Sequence, residues 1–117
     1  MISVANIQRL AKKYDLTLCR GAISHEIVYK NKACARGVLA VEAYGSVKEF
    51  KTQWENQWGC RAGIYADFVP NQLNISMSDL EALEDGFEGG DVLDWPEESQ
   101  YAWYVGNDLR QFVATRV

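Results

Sequence analysis

Apart from its carboxylates, this 117-residue chain offers one histidine, His25, and three cysteines, Cys19, Cys34 and Cys60, for metal ligation or nucleophilic catalysis. A single histidine excludes a multi-histidine metal centre, and no Cys-x-x-Cys, His-x-x-x-His or Asp-x-Asp spacing occurs. A cysteine and a histidine could in principle serve as nucleophile and base, yet nothing local marks either one. Cys19 and Cys34 fall in apolar, strand-like runs and read as buried thiols acting as small apolar side chains. Cys60 follows Gly59 at an expected helix C-terminus, where the negative end of the dipole disfavours a thiolate. Gly89-Gly90 is flanked by Glu88 and Asp91, which repel phosphate, and no Walker or dinucleotide spacing is present. The sequence therefore assigns no catalytic residue, cofactor or metal, and the expectation is a binding protein and not an enzyme.

The carboxylates themselves are distributed very unevenly. From Ala62 to Leu109 there are 48 residues with no lysine or arginine and eleven acids, whereas residues 1–61 hold ten bases against five acids. A net charge of −4 thus conceals a dipolar molecule. Such a field steers a basic partner and repels nucleic acid from one side. Lys12, Lys13, Lys30, Lys32, Arg36, Lys48 and Lys51 could share a basic face, but an isoelectric point near 4.9 argues against direct nucleic-acid binding. Acid pairs that face solvent also lack the burial that would raise one pKa for acid catalysis.

Within the acidic half, Glu81, Glu84, Asp85 and Glu88 recur three or four residues apart, which places them on one face of a helix. Asp91, Asp94 and Trp95 follow in the next loop. These seven residues form the candidate partner-binding patch, with Trp95 as an apolar anchor for a basic protein surface. The competing reading is a face that only keeps the protein in solution.

The elements that must position these residues start with an amphipathic helix at 3–14, capped by Ser3 and carrying Val4, Ile7, Leu10, Ala11 and Tyr14 inward. Residues 16–20, 25–30 and 33–44 read as three strands with short links, an antiparallel meander in which Gly37 marks a bulge. Ser46 and Glu49 make a capping box for a helix whose stripe is Val47, Phe50, Trp54 and Trp58, ending at Gly59. Residues 62–69 read as a fourth strand ended by Pro70-Asn71. Ser78 and Glu81 make a second capping box, for a short helix that stops at Gly86 with Leu80, Leu83 and Phe87 inside. The glycine-rich stretch 86–91 reads as a loop, and Asp94-Trp95-Pro96-Glu97-Glu98 as another helix start. Residues 101–105 fit helix or strand, and Asn107 reads as the cap of a final helix with Leu109, Phe112 and Val113.

The expectation for 1–117 is thus a single α+β domain, mainly an antiparallel sheet of about four strands in the order α-β-β-β-α-β with a helical C-terminal part, covered by helices. No apolar run approaches the roughly 18 residues of a membrane span, and the composition reads as cytoplasmic. The preferred function is a small acidic protein that binds a basic or nucleic-acid-handling partner, as inhibitors of the anti-restriction, anti-CRISPR and immunity types do, a comparison of size and charge alone. One alternative is a small-molecule or enzymatic site between the sheet and the helix of Trp54 and Trp58, with His25, Tyr29, Tyr44 or Tyr65 supplying polar groups. A second is a structural homo-oligomer, a homodimer being the simplest.

Overall fold

The computed structural model describes residues 1–56 and 63–113. The described chain contains α1 (Val4–Lys13), β1 (Thr17–Leu18), α2 (Ser24–Lys30), β2 (Lys32–Ala33), α3 (Ala35–Tyr44), α4 (Val47–Asn56), α5 (Phe68–Leu73), α6 (Met77–Glu88) and α7 (Gln100–Arg110), with single 3-10 turns at Gly63–Tyr65, Val92–Asp94 and Glu97–Ser99. This overturns the expected α+β class. The protein is mostly helical, and the four-stranded antiparallel sheet is replaced by two strands of two residues each, paired parallel with Thr17 opposite Lys32 and Leu18 opposite Ala33.

The correction is largest at residues 33–44, which form helix α3 and not a strand. Nine of its ten residues are buried, Glu42 being the one that is not. A helix wrapped on all sides needs no polar face, so its sequence loses the 3.6-residue period and reads as a continuous apolar run, as a buried strand does. Its ends carry the helical signals. Cys34 Sγ accepts from the Gly37 amide at 3.3 Å, and Gly45 closes the helix at φ 98°, where glycine is unstrained.

Residues 25–30 also turn out to be helical, in α2, despite the β-branched and aromatic content of Ile27, Val28 and Tyr29. Propensity is a weak prior that packing overrides. Here Ile27 is fully buried, and Glu26 stays inside because its carboxylate accepts from the Ile23 amide at 3.3 Å. The expected strand at 62–69 is a 3-10 turn followed by the start of α5, with Pro70 in the first turn of that helix, where its missing N–H costs nothing. Ala62, and Trp58, Gly59 and Cys60 of the preceding stripe, lie outside the described residues.

Other local signals hold. Ser3 Oγ accepts from the Asn6 amide at 3.1 Å to start α1, and Ser46 Oγ accepts from the Glu49 amide at 3.0 Å to start α4. Helix α6 starts earlier than expected, because Ser76 supplies the cap by accepting from the Asp79 amide at 3.0 Å. Ser78 instead meets Ser99, with their hydroxyls 2.8 Å apart. Asp79 then accepts from Ser99 Oγ at 2.8 Å and from the Tyr101 hydroxyl at 2.6 Å. Residues 101–105 are helical within α7, and Asn107 lies inside that helix and caps nothing.

Helix α6 also passes through Gly86, where the sequence suggested a stop, and ends at Gly89 with φ 95°. The reason is the crossing with α7. A methyl group at Gly86 would overlap the Trp103 carbonyl oxygen, and one at Gly106 would overlap the Leu83 carbonyl oxygen. The two backbones therefore touch directly, which only paired glycines allow. Leu80, Leu83, Phe87, Ala102 and Leu109 are fully buried beside the crossing and join a core shared with Ile7, Leu10, Val38, Leu39, Val41 and Phe50. No helix among the described residues is long and apolar enough to cross a membrane.

Because backbone cannot move aside as a side chain does, Gly106→Ala is expected to destabilise the fold by at least about 2 kcal/mol. That loss corresponds to a fall in Tm of roughly 8–16 °C. Gly45→Ala, at a helix end where a methyl meets open space, should cost only about 1 kcal/mol through its backbone angle. Thermal and denaturant unfolding of the two variants check the ranking.

Candidate functional site

Arg36 is the anomaly of α3, the one charged side chain among its nine buried residues. Only 4 % of it is exposed. A buried charge must be paired and hydrogen-bonded to be tolerated, so its partners dictate what surrounds this end of the helix. Nη1 lies 3.2 Å from Glu84 Oε1 on α6, Nη2 lies 3.3 Å from Met77 Sδ, and the guanidinium stacks 4.8 Å from the Tyr65 ring centroid. Tyr65 in turn donates its hydroxyl to Glu84 Oε2 at 2.9 Å. Nε is buried without a partner among the described residues.

Above this trio opens a groove of about 670 Å³, lined by Arg36, Tyr65, Asp67, Met77, Glu81, Glu84, Asp85, Glu88 and Trp95. The volume lies within the range of roughly 300–1,000 Å³ usual for ligand sites. Five carboxylates converge on it against one guanidinium. Glu84, Asp85 and Glu88 are fixed by donors from other described residues. Glu84 is held by Arg36 and Tyr65. Asp85 Oδ2 accepts from the Trp95 indole N–H at 2.9 Å, and Glu88 accepts from the Gly21 amide through both oxygens at 2.8 and 3.0 Å. Glu81 is exposed and has no hydrogen bond or ion pair to a described residue.

The structure therefore gathers Glu81, Glu84, Asp85, Glu88 and Trp95 from the expected patch, but around a concavity instead of on an outward face. Asp91 and Asp94 do not line it. Asp91 Oδ1 accepts from the Leu93 amide at 3.0 Å and so shapes the turn that carries Trp95, while Asp94 is exposed beyond it. Arg36, Tyr65, Asp67 and Met77 were not foreseen as members. The lone arginine inside ARGVLAVEAY was the available signal, because it could not be buried without a carboxylate. Arg36 is consequently removed from the expected basic face, and Lys13 is engaged with Glu42 at 3.5 Å.

The four-stranded sheet that was to bound the alternative aromatic pocket is absent among the described residues, and Trp58 lies outside them. His25 and Tyr29 meet at 4.8 Å and Tyr29 and Trp54 at 6.2 Å, with Tyr29 more than half exposed. Tyr44 packs elsewhere, 5.0 Å from Phe50 and 4.7 Å from Phe68, beside a hollow of about 310 Å³. Tyr65 belongs to the acidic groove.

Electrostatics and burial argue against nucleophilic chemistry at this end of α3. Burial, with the Glu84 charge adding to it, pushes the Cys34 thiol up to about 12, so it stays protonated at neutral pH. Among the described residues no three His, Cys, Asp or Glu side chains are grouped to hold a metal ion.

No protein family, curated protein or solved structure matches the chain.

Glu84→Gln is expected to cost about 2 kcal/mol, because it leaves a buried guanidinium without its counter-charge. Glu81→Gln, at an exposed carboxylate, should stay within about 0.5 kcal/mol of the parent, and denaturant unfolding separates the two. A second expectation concerns alkali. Burial and then the Glu84 carboxylate hold the Tyr65 phenol well above the ordinary tyrosine value of about 10. A raised phenol pKa stabilises the fold fully below about pH 10 and loses that contribution as pH climbs through the higher folded value. Tyr65→Phe should remove one late-ionising phenol from an alkaline absorbance titration and flatten the loss of stability above about pH 10.

Proposed function

We propose that this protein acts by binding a basic protein surface in the groove between α6, the Tyr65 turn and Trp95, and that it thereby occupies or inhibits a nucleic-acid-handling partner. The observation that carries the reading is the convergence of five carboxylates on one concave surface, three of them already held in position by donors from α3, the Gly21 loop and Trp95.

Preorganised charge of this kind favours binding because little side-chain freedom is lost on association. The aromatic and thioether walls, Trp95, Tyr65 and Met77, add apolar contact of the sort that concentrates binding energy at the centre of an interface. A surface built to hold nucleic acid is lined with lysine and arginine, and an acidic groove is its electrostatic complement. The 48-residue stretch without a base supplies all of the groove's lining except Arg36, so five carboxylates outweigh one guanidinium there, which speeds encounter with such a partner.

The choice of test follows from which acids support the fold. Reversing Glu84 or Glu88 would break contacts to Arg36 or Gly21, so the informative variant is Glu81→Lys, whose side chain faces the groove from an exposed position. Captured from lysate with the tagged protein, a basic partner should be retained at about 0.01 M ionic strength and released near 1 M, where the screening length shrinks from ~30 Å to ~3 Å. Glu81→Lys should retain its Tm and lose most of the captured partner. Equal capture by the parent and this variant would sink the groove reading.

A further inference from the structure

Two aromatic side chains in the groove are tethered to carboxylates in the same manner. Tyr65 donates its hydroxyl to Glu84 Oε2 at 2.9 Å, and Trp95 donates its indole N–H to Asp85 Oδ2 at 2.9 Å. The first pair is completed by Arg36, whose guanidinium lies over the Tyr65 ring at 4.8 Å while Nη1 reaches the other Glu84 oxygen at 3.2 Å. The molecule thus shows in one place how a guanidinium is bound here, over a ring and paired through one N–H to the carboxylate that holds the ring. Trp95 and Asp85 repeat that framework, and no described lysine or arginine stacks on Trp95 or pairs with Asp85.

We infer that Trp95 and Asp85, with Glu81 and Glu88 beside them, form a second guanidinium seat that takes an arginine side chain of the basic partner. The inference rests on the reading of the groove as a binding site for a basic protein and names the residue that enters it. Indole is the strongest cation-binding ring among the aromatic side chains. A guanidinium is planar and weakly hydrated, so it can stack on that ring and still offer parallel N–H groups to a carboxylate. A lysine ammonium is a compact, strongly hydrated charge that gains the Coulomb attraction without the stacking.

The seat is also held in shape before any partner arrives. Asp85 is locked between the Trp95 indole and the Gly90 backbone, where a methyl group would overlap its carboxylate. The Asp91 cap fixes the turn that carries Trp95 by accepting from the Leu93 amide at 3.0 Å. Glycine at position 90 is therefore needed for close approach to the carboxylate and not for flexibility.

The test compares two blocked peptides of identical sequence and charge except for one central residue, arginine in one and lysine in the other, titrated calorimetrically into the protein at low ionic strength. The arginine peptide is expected to bind more than about tenfold tighter. In Trp95→Leu that preference should fall below about twofold while the lysine peptide keeps its affinity. Asp85→Asn, which keeps an acceptor for the indole and removes the charge, provides a second route to the same result if the leucine variant fails to fold. An indole N–H resonance that disappears in Trp95→Leu should shift on adding the arginine peptide. Equal affinity for the two peptides, or a preference that survives both substitutions, overturns the arginine seat and leaves the groove reading standing. Binding of neither peptide overturns both.

Discussion

A buried guanidinium is the constraint around which this molecule is arranged. Nine of the ten residues of helix α3 are buried, and Arg36 near its start places a full positive charge where little water reaches it. An unpaired charge there would cost several kcal/mol, a large part of a small domain's stability, so a carboxylate has to be delivered to it. Glu84 does this from α6, Tyr65 covers the guanidinium face from the 3-10 turn, and Met77 closes the remaining side. The acid-rich helix lies against the central one because of that demand. Its carboxylates surround a hollow because the helix that bears them is drawn inward at Glu84.

Helix α6 is fixed from its other side by contact of bare backbone. Gly86 and Gly106 let α6 and α7 approach until main chain meets main chain, and the Asp79 cluster with Ser99 and Tyr101 ties their N-terminal ends together. Pinned between α3 and α7, α6 has little freedom to rotate, so the groove carboxylates inherit the rigidity of the core. Several acids consequently serve two purposes. Glu84 neutralises Arg36, Glu88 holds the Gly21 loop, Asp85 orients Trp95, and all three present negative charge to whatever enters the groove. Glu81 alone of the five acids on α6 has no hydrogen bond or ion pair to a described residue, which makes it the carboxylate through which binding can be altered without disturbing the fold.

What was legible in the chain was what depends on neighbours in sequence. The caps Ser3 and Ser46 act over three or four residues, and helices α1 and α4 start where those signals place them. The amphipathic period of α1 was readable because one face meets water. Helix α3 was not, since burial on every side erases the contrast between faces that makes a helix recognisable, and a continuous apolar run suits a strand equally well. Helix α2 was misread for a related reason, its β-branched and aromatic residues being accommodated by tertiary packing against their weak intrinsic preference. Gly86 looked like a terminator because a glycine inside a helix is costly, unless another backbone needs the space.

By itself, then, the sequence determined the charge asymmetry, the helical spacing of Glu81, Glu84, Asp85 and Glu88, and the local starts of several elements, since composition and short-range hydrogen bonding suffice for these. Tertiary structure alone decided that those acids line a groove, that Tyr65 and Arg36 join them, and that Trp95 is turned toward Asp85. Such placements arise from contacts between residues as far apart as 36 and 84 or 21 and 88. They are set by the need to satisfy buried charges and amides once the helices pack, a requirement that no window of neighbouring residues reveals.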